Sequence, residues 1–419
     1  MVVSVIGVRK LKNYSRFFAL MIFSLLSLLL SPITQASTFI QGIPVTGNPS
    51  PTPSKFDQRF IALMRAWHIP GATIAIMKHG KIIMSRGYGW SDITSRQEMQ
   101  PGALFRIASV SKTITAVAIL KLVQEHRLSL DDKVFNILNN MYPLAGNYVN
   151  PRLYQITVRD LLQMASGWYT EGPGSFDPMF GPWSSRAISL LGGRIPPDCL
   201  PATRLMMNVP LASRPGTRFS YSNLNYCMLG LIINKVNGQK YGAAGYEAYV
   251  KQNVLAPLGI QDMQLGRTQL YNRATGEVKY YGSDTSSNGN IDGLPYGNSD
   301  ILLKNFSDGG WIASAPDLAK YLQGLSTNRI LDSRMMYTML AKPAYIKKAN
   351  NYFSMGWTVK YIGHHRTWSK HGSFTGTIAQ ILQRDDGTSY VALFNTQPGS
   401  KVQFINQMQR VLLSYAPGQ

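Results

Sequence analysis

Ser109-Val110-Ser111-Lys112 opens the apolar run from Ile114 to Val123, and together they read as one helix over Ser109 to Glu125. On a helix, the three-residue spacing places Lys112 one turn from Ser109 on the same face, within reach of its hydroxyl. A serine becomes a nucleophile when a neighbouring base takes its proton, and an amine can serve if its pKa is lowered. The start of a helix disfavours an ammonium through its partial positive charge, and burial disfavours it further. This is the chain's one Ser-x-x-Lys. Taken alone it also fits a capping serine beside a surface lysine.

Working outward toward the N-terminus, Thr73 to Met77 and Lys81 to Ser85 are β-rich runs about a His79-Gly80 turn, which predicts a hairpin. Before it, Phe56, Phe60, Leu63, Met64 and Trp67 recur at helical spacing and stop at Pro70-Gly71. The far end repeats this grammar. Thr377 to Leu382 and Ser389 to Asn395 flank Asp385-Asp386-Gly387, and Phe404, Ile405, Met408, Val411, Leu412 and Tyr415 mark a last amphipathic helix. The middle of the chain is mostly helical in pattern, with Val158 to Met164, Leu224 to Val236 and a capped start at Ser314-Ala315-Pro316-Asp317. Residues from about Tyr280 to Asp300 are rich in Gly, Ser and Asn and read as a long surface loop. The expected fold is α/β (α+β): an antiparallel sheet with flanking N- and C-terminal helices, interrupted by an inserted helical lobe.

Two further polar constellations lie downstream of the serine. Pro215-Gly216-Thr217-Arg218-Phe219-Ser220-Tyr221-Ser222-Asn223 leads into an apolar helix. Tyr221 can relay a proton if a nearby cation favours its phenolate, and Asn223 can hold an amide carbonyl. Tyr148-Val149-Asn150 and Tyr296-Gly297-Asn298 share the Tyr-x-Asn pattern, so the triplet alone decides nothing. Lys370-His371-Gly372-Ser373 precedes the strand beginning at Thr377, which puts it at a sheet edge. A backbone N–H there, paired with that of Ser109, would form an oxyanion hole. Gly372 would let a substrate approach the backbone closely.

The order Ser-x-x-Lys, Tyr-x-Asn, Lys-x-Gly resembles the serine β-lactamase and penicillin-binding family. The tyrosine variant is similar to the class C β-lactamases, their DD-carboxypeptidase relatives and related esterases. Leu161-Leu162-Gln163-Met164-Ala165-Ser166-Gly167-Trp168 and Gly309-Gly310-Trp311-Ile312-Ala313-Ser314-Ala315-Pro316-Asp317-Leu318 look like further stretches of that family. The resemblance spans about Phe56 to Tyr415. It implies that Ser109 attacks a carbonyl while Lys112 and Tyr221 shuttle the proton, and that Asn223 orients the acyl side chain. Lys370 would engage a substrate carboxylate or bias Tyr221, and Ser373 would supply an oxyanion-hole N–H. His371 stands where β-lactamases carry threonine, which removes a hydroxyl used for carboxylates; it would hydrogen-bond substrate or sit as a satisfied edge histidine. The active site is expected in the groove between the α/β part and the lobe. The expected chemistry is hydrolysis of an amide bond, in a β-lactam or a D-amino-acid peptide, through an acyl-enzyme. An esterase on the same fold is the second reading, and a non-catalytic binder the third.

The 419 residues are 45% hydrophobic and 15% charged, a balance that builds a large core and excludes a disordered chain. Arg9, Lys10, Lys12 and Arg16, then the apolar Phe17 to Leu30, then Thr34-Gln35-Ala36, predict a signal peptide over residues 1–36 and a periplasmic or secreted protein. The apolar stretch falls short of the roughly 20 residues of a spanning helix, so no transmembrane span is expected in the mature form. An extended arm is expected over 37–54, then a catalytic domain over 55–419: its α/β part at about 55–108 and 335–419, its lobe at about 109–334. The formal charge of +21 favours anionic neighbours such as envelope polymers or lipid headgroups. The cations are scattered rather than striped, and nucleic acid is not an expected partner of an exported chain. Cys199 and Cys227 fit either a disulfide or buried thiols. With no Cys-His cluster there is no zinc ligand set, and no cofactor is expected.

Overall fold

The computed structural model describes residues 38–48, 54–144, 150–168, 179, 198–282, 295–296 and 300–415. The proposed leader, Tyr148 and most of the Tyr280 to Asp300 loop lie outside them. Nine strands pair antiparallel in one sheet: β1 (Thr38–Ile40), β2 (Ile43–Asn48), β3 (Gly71–Lys78), β4 (Lys81–Asp92), β5 (Asn351–Ser354), β6 (Trp357–Ile362), β7 (His365–Phe374), β8 (Thr377–Arg384) and β9 (Thr388–Phe394). Their spatial order is β1-β2-β4-β3-β9-β8-β7-β6-β5, and the two-residue strand Gln97–Glu98 adds to β4. The N-terminal hairpin therefore meets the C-terminal meander at β3 and β9, where Ala75 faces Val391 and Ile74 faces Ala392.

The central strands are apolar on both faces because both faces are covered. Ile74, Ile76, Tyr390, Ala392 and Phe394 pack with Phe60 of helix α1 (Lys55–Ala66) and with Phe404 and Met408 of the C-terminal helix (Lys401–Leu413). Ala75, Met77, Val391 and Leu393 point the other way, into the cluster shared with the lobe. α1 starts where the Ser54 side chain accepts from the Asp57 N–H and Asp57 returns a bond to the Ser54 N–H, a reciprocal cap. Asp57 also accepts from the Tyr88 hydroxyl at 2.7 Å and ion-pairs with Arg86, so the cap is pinned to β4.

The lobe is built on α2 (Ser111–Gln124), whose residues are buried almost all round from Ser111 to Leu120, as befits a helix apolar on every side. Around it lie α3 (Val158–Leu162), α4 (Cys199–Met206), α5 (Asn223–Val236) and α6 (Ala243–Val250). Cys199 at the start of α4 is disulfide-bonded to Cys227 of α5, which settles the alternative left by the sequence.

Two expectations need correction. The segment read as an arm holds β1 and β2: Val45 is buried, and Val45 to Asn48 pair with Tyr88 to Ser85, completing the backbone hydrogen bonds of a long β4. The lobe also ends earlier than residue 334. Helix α7 (Ala315–Ser326), capped by Ser314, packs against β3, β8 and β9 and belongs to the α/β part. Its buried Leu318, Leu322 and Leu325 cover the sheet face opposite α1. Helix α8 (Ser333–Leu340) follows, and the C-terminal helix is α9. No helix of the described residues is long and apolar enough to cross a membrane.

Candidate active site

Ser109 sits in a 3-10 turn, Ala108–Val110, that feeds α2, so the regular helix begins two residues later than its sequence pattern suggests. Ala108, fully buried, is held at φ +45°, a left-handed conformation that costs a non-glycine residue about 1–3 kcal/mol. Its surroundings fix it there. The Ile107 N–H donates to the Trp311 carbonyl at 3.1 Å and the Trp311 N–H donates to Ser111 Oγ at 3.2 Å. The nucleophile's turn is thus bolted to a short strand, Trp311–Ala313, which also pairs with Phe105–Arg106.

Lys112, completely buried on the first turn of α2, reaches up to the serine. Its Nζ lies 3.2 Å from Ser109 Oγ, 2.7 Å from Asn223 Oδ1 and 2.7 Å from the Asp308 carbonyl oxygen. The Tyr221 hydroxyl donates to Ser109 Oγ at 2.9 Å from the opposite side. Lys370 of β7, 6% exposed, stands 4.8 Å from the Tyr221 ring centroid, and Lys112 5.3 Å from it. Burial pushes the Tyr221 phenol up, but Lys112 and Lys370, aided by hydrogen bonds from Ser109 and Lys112, outweigh it and bring the pKa below that of an ordinary phenol.

β7 forms the other wall. Only its first half, His365 to Ser369, pairs with β6, so Lys370 to Phe374 is an edge that faces the serine. Gly372 makes that approach close: a Cβ there would lie 2.2 Å from the Ile107 carbonyl oxygen and 2.7 Å from the Ser109 amide nitrogen. The groove above has a volume of about 500 Å³, and Ser109, Tyr221, Asn223, Lys370, His371, Gly372 and Ser373 all line it. Lys112 lies beneath, where water does not reach. His371 has its pKa lowered to about 4 by desolvation and then by Lys370 and Lys401, so it is neutral at pH 7.

All eight residues expected from the sequence therefore converge, with one change of emphasis. Asn223 turns its carbonyl oxygen to Lys112, whose Nζ donates to it at 2.7 Å, so an acyl carbonyl would meet the amide N–H end of Asn223. Tyr296 does not line the groove; its hydroxyl accepts from the Tyr280 N–H at 2.9 Å and its ring lies under Arg106. Sequence reading missed Asp308, Phe353, Phe374 and Lys401, which also line the groove. Asp308 directly precedes the Gly309-Gly310 pair, and an acid at that place was a signal available in the sequence. Both cysteine sulfurs lie within 4.8 Å of an Asp308 carboxylate oxygen, but bonded to each other they offer no thiolate to a metal.

The family model described as Beta-lactamase matches residues 56–413. The chain is 36% identical over 191 residues to the protein flp of Staphylococcus aureus strain N315, covering 46% of this chain and 34% of flp. It is 32% identical over 212 residues to the esterase EstB of Burkholderia gladioli, 50% of each. The chain thus spans half or less of the length of these curated relatives. Among solved structures, an octameric penicillin-binding protein homologue from Pyrococcus abyssi has a TM-score of 0.67 at 24% identity, covering 87% of this chain and 78% of that one. The D-amino acid amidase of Ochrobactrum anthropi SV3 has a TM-score of 0.63 at 22% identity, covering 86% and 99%. At such identities the likeness is one of fold.

Proposed function

Because the chain belongs to the β-lactamase family, we propose that it is a serine hydrolase that works through an acyl-enzyme at Ser109. One observation carries this reading: Ser109 Oγ is held between Lys112 Nζ at 3.2 Å and the Tyr221 hydroxyl at 2.9 Å, at the floor of an open groove. As Oγ bonds to the substrate carbonyl carbon, its proton passes to this pair. The same pair protonates the leaving nitrogen or oxygen as its bond to carbon breaks, and water then reverses the sequence to release the acid. The edge N–H of Ser373 and that of Ser109 would hold the oxyanion. Amide bonds, in β-lactams or D-amino-acid peptides, are the first substrate class. Lys370 and Lys401 in the groove favour a substrate that carries a carboxylate. An esterase is the second reading, favoured by the likeness to EstB and by His371 in place of a threonine. The leader-like residues 1–36, the net charge of +21 and a disulfide support an exported enzyme near anionic envelope polymers or lipid headgroups.

The test is intact-protein mass spectrometry after treatment with a fluorophosphonate or a penicillin. An adduct on the wild-type protein that is absent from Ser109→Ala is the expected result, and an adduct surviving that substitution reassigns the nucleophile. Turnover of nitrocefin, persistent labelling by a fluorescent penicillin and cleavage of p-nitrophenyl butyrate then separate β-lactamase, carboxypeptidase and esterase. Silence in all three, with no adduct, supports a binder.

A further inference from the structure

A second cleft, of about 400 Å³, opens in the lobe and shares no lining residue with the groove of Ser109. Its apolar base is buried: Phe135 of the short helix Val134–Ile137, Met141, and Met207 at the end of α4. Two tyrosines of its lining stand out into solvent, Tyr142 at 69% exposure and Tyr154 at 49%. Asn136 and Asn139, both exposed, add their amide ends. Among the described residues no charged side chain lines this cleft, in a chain whose formal charge is +21. The backbone under the exposed rings is held. The Leu144 N–H donates to the Arg204 carbonyl at 3.2 Å, and Arg204 Nε donates to the Tyr142 carbonyl at 2.9 Å, which ties that stretch to α4. Tyr154 sits in the 3-10 turn Pro151–Gln155, where Asn150 accepts from the Arg152 N–H at 3.1 Å, and the Phe135 ring meets Tyr154 edge-on, centroids 6.3 Å apart. Large rings on a fixed backbone, left uncovered around a concave site, mark a contact surface.

The chemistry of the walls narrows the ligand. A purely apolar guest would strip water from two amides and two phenols and return no hydrogen bond. An ion would find no counter-charge. A peptide strand would need free backbone groups, but the N–H groups of Asn136, Leu138, Met141, Leu144, Leu153 and Ile156 all donate to carbonyls within the lobe. Recognition therefore falls to side chains. A sugar ring meets each condition: its C–H face lies on a tyrosine, its hydroxyls donate and accept as an asparagine amide does, and it carries no charge. We propose that this cleft binds a neutral sugar residue of a glycan. Its volume lies at the small end for a ligand site and holds one or two rings. An N-acetylhexosamine, whose own amide pairs with that of an asparagine, is the first choice. The proposal stands apart from the chemistry at Ser109.

The test is saturation-transfer difference NMR on the full chain, titrated with chitotriose and with cellotriose. Either sugar should bind with a Kd of about 1 mM or below. The C–H protons of one ring face, and for chitotriose the acetyl methyl, should receive the most saturation. Tyr142→Ala and Tyr154→Ala should each weaken binding about tenfold, the weight of one aromatic contact, whereas Tyr154→Trp should keep most of it. Asn136→Ala with Asn139→Ala should weaken it severalfold. Each variant is checked by circular dichroism and by fluorophosphonate labelling of Ser109, which should proceed at the wild-type rate. No saturation of either sugar at about 10 mM overturns the proposal. So does binding that survives both tyrosine substitutions, or that disappears in Lys370→Gln, because the sugar then lies elsewhere. Binding of p-cresol but of neither sugar makes the cleft an apolar pocket and also overturns it. Wild-type protein that takes no fluorophosphonate sinks the hydrolase reading and leaves the sugar titration as it stands.

Discussion

At the scale of single residues, Tyr221 and Gly372 separate chemistry from packing. Tyr221→Phe keeps the ring between Lys370 and Lys112 but removes the hydroxyl bonded to Ser109, so kcat/KM should fall by about 10²–10⁴. Tyr296→Phe loses only a bond to the Tyr280 backbone and should leave the rate within a few fold. Steady-state kinetics on both variants checks this, and equal losses would overturn the choice among the three Tyr-x-Asn triplets. Gly372→Ala places a methyl 2.2 Å from the Ile107 carbonyl. The nucleophile's turn must shift, and a displacement near 1 Å costs about a hundredfold in kcat; single-turnover acylation measures that loss. The sequence made these residues legible because their chemistry is rare in combination: Ser-x-x-Lys, the tyrosine context and Lys-x-Gly occur in the right order. Asp308 left a trace, an acid before two glycines, but the phenylalanines of the groove were not legible, since a lone aromatic carries no spacing that points to a distant serine.

At the scale of elements, the α1 cap is the most testable joint. Asp57→Ala leaves Arg86 buried without its carboxylate and the Tyr88 hydroxyl without its acceptor, so unfolding free energy should drop by about 3–5 kcal/mol in urea titration. Burial pushes the Asp57 carboxyl up, yet bonds from Ser54 and Tyr88 and the charge of Arg86 hold it below 3.8. Its contribution is therefore complete above the unfolded value and lost as pH falls through the lower folded value, so Asp57→Asn should flatten the acid end of the stability curve. The hairpin, α1, α5, α7 and the C-terminal helix were legible because period 2 and period 3.6 are strong there. It concealed β1 and β2 behind turn residues such as Gly42 and Gly47, and it hid the membership of α7, because an apolar stripe does not say which surface it will cover.

At the scale of the whole molecule, the disulfide and the sheet decide how the parts depend on one another. The Cys199–Cys227 bridge closes a separation of 28 residues, and Cys227→Ser with Cys199→Ser should cost about 3–4 kcal/mol on the chain-entropy view, read as a lower Tm with the Ser109 adduct still forming. The strands of residues 71–92 and 377–394 are neighbours in the sheet, and the groups of the site come from positions 109, 112, 221 and 370. Ser109 and Lys112 leave the ribosome before the wall that carries Gly372. Until it docks, the hydroxyl at 109 lacks the edge strand beside it, and Tyr221 lacks the Lys370 ammonium over its ring. A chain released before residue 370 therefore carries the serine and the lysine without the groove wall that would seat a substrate.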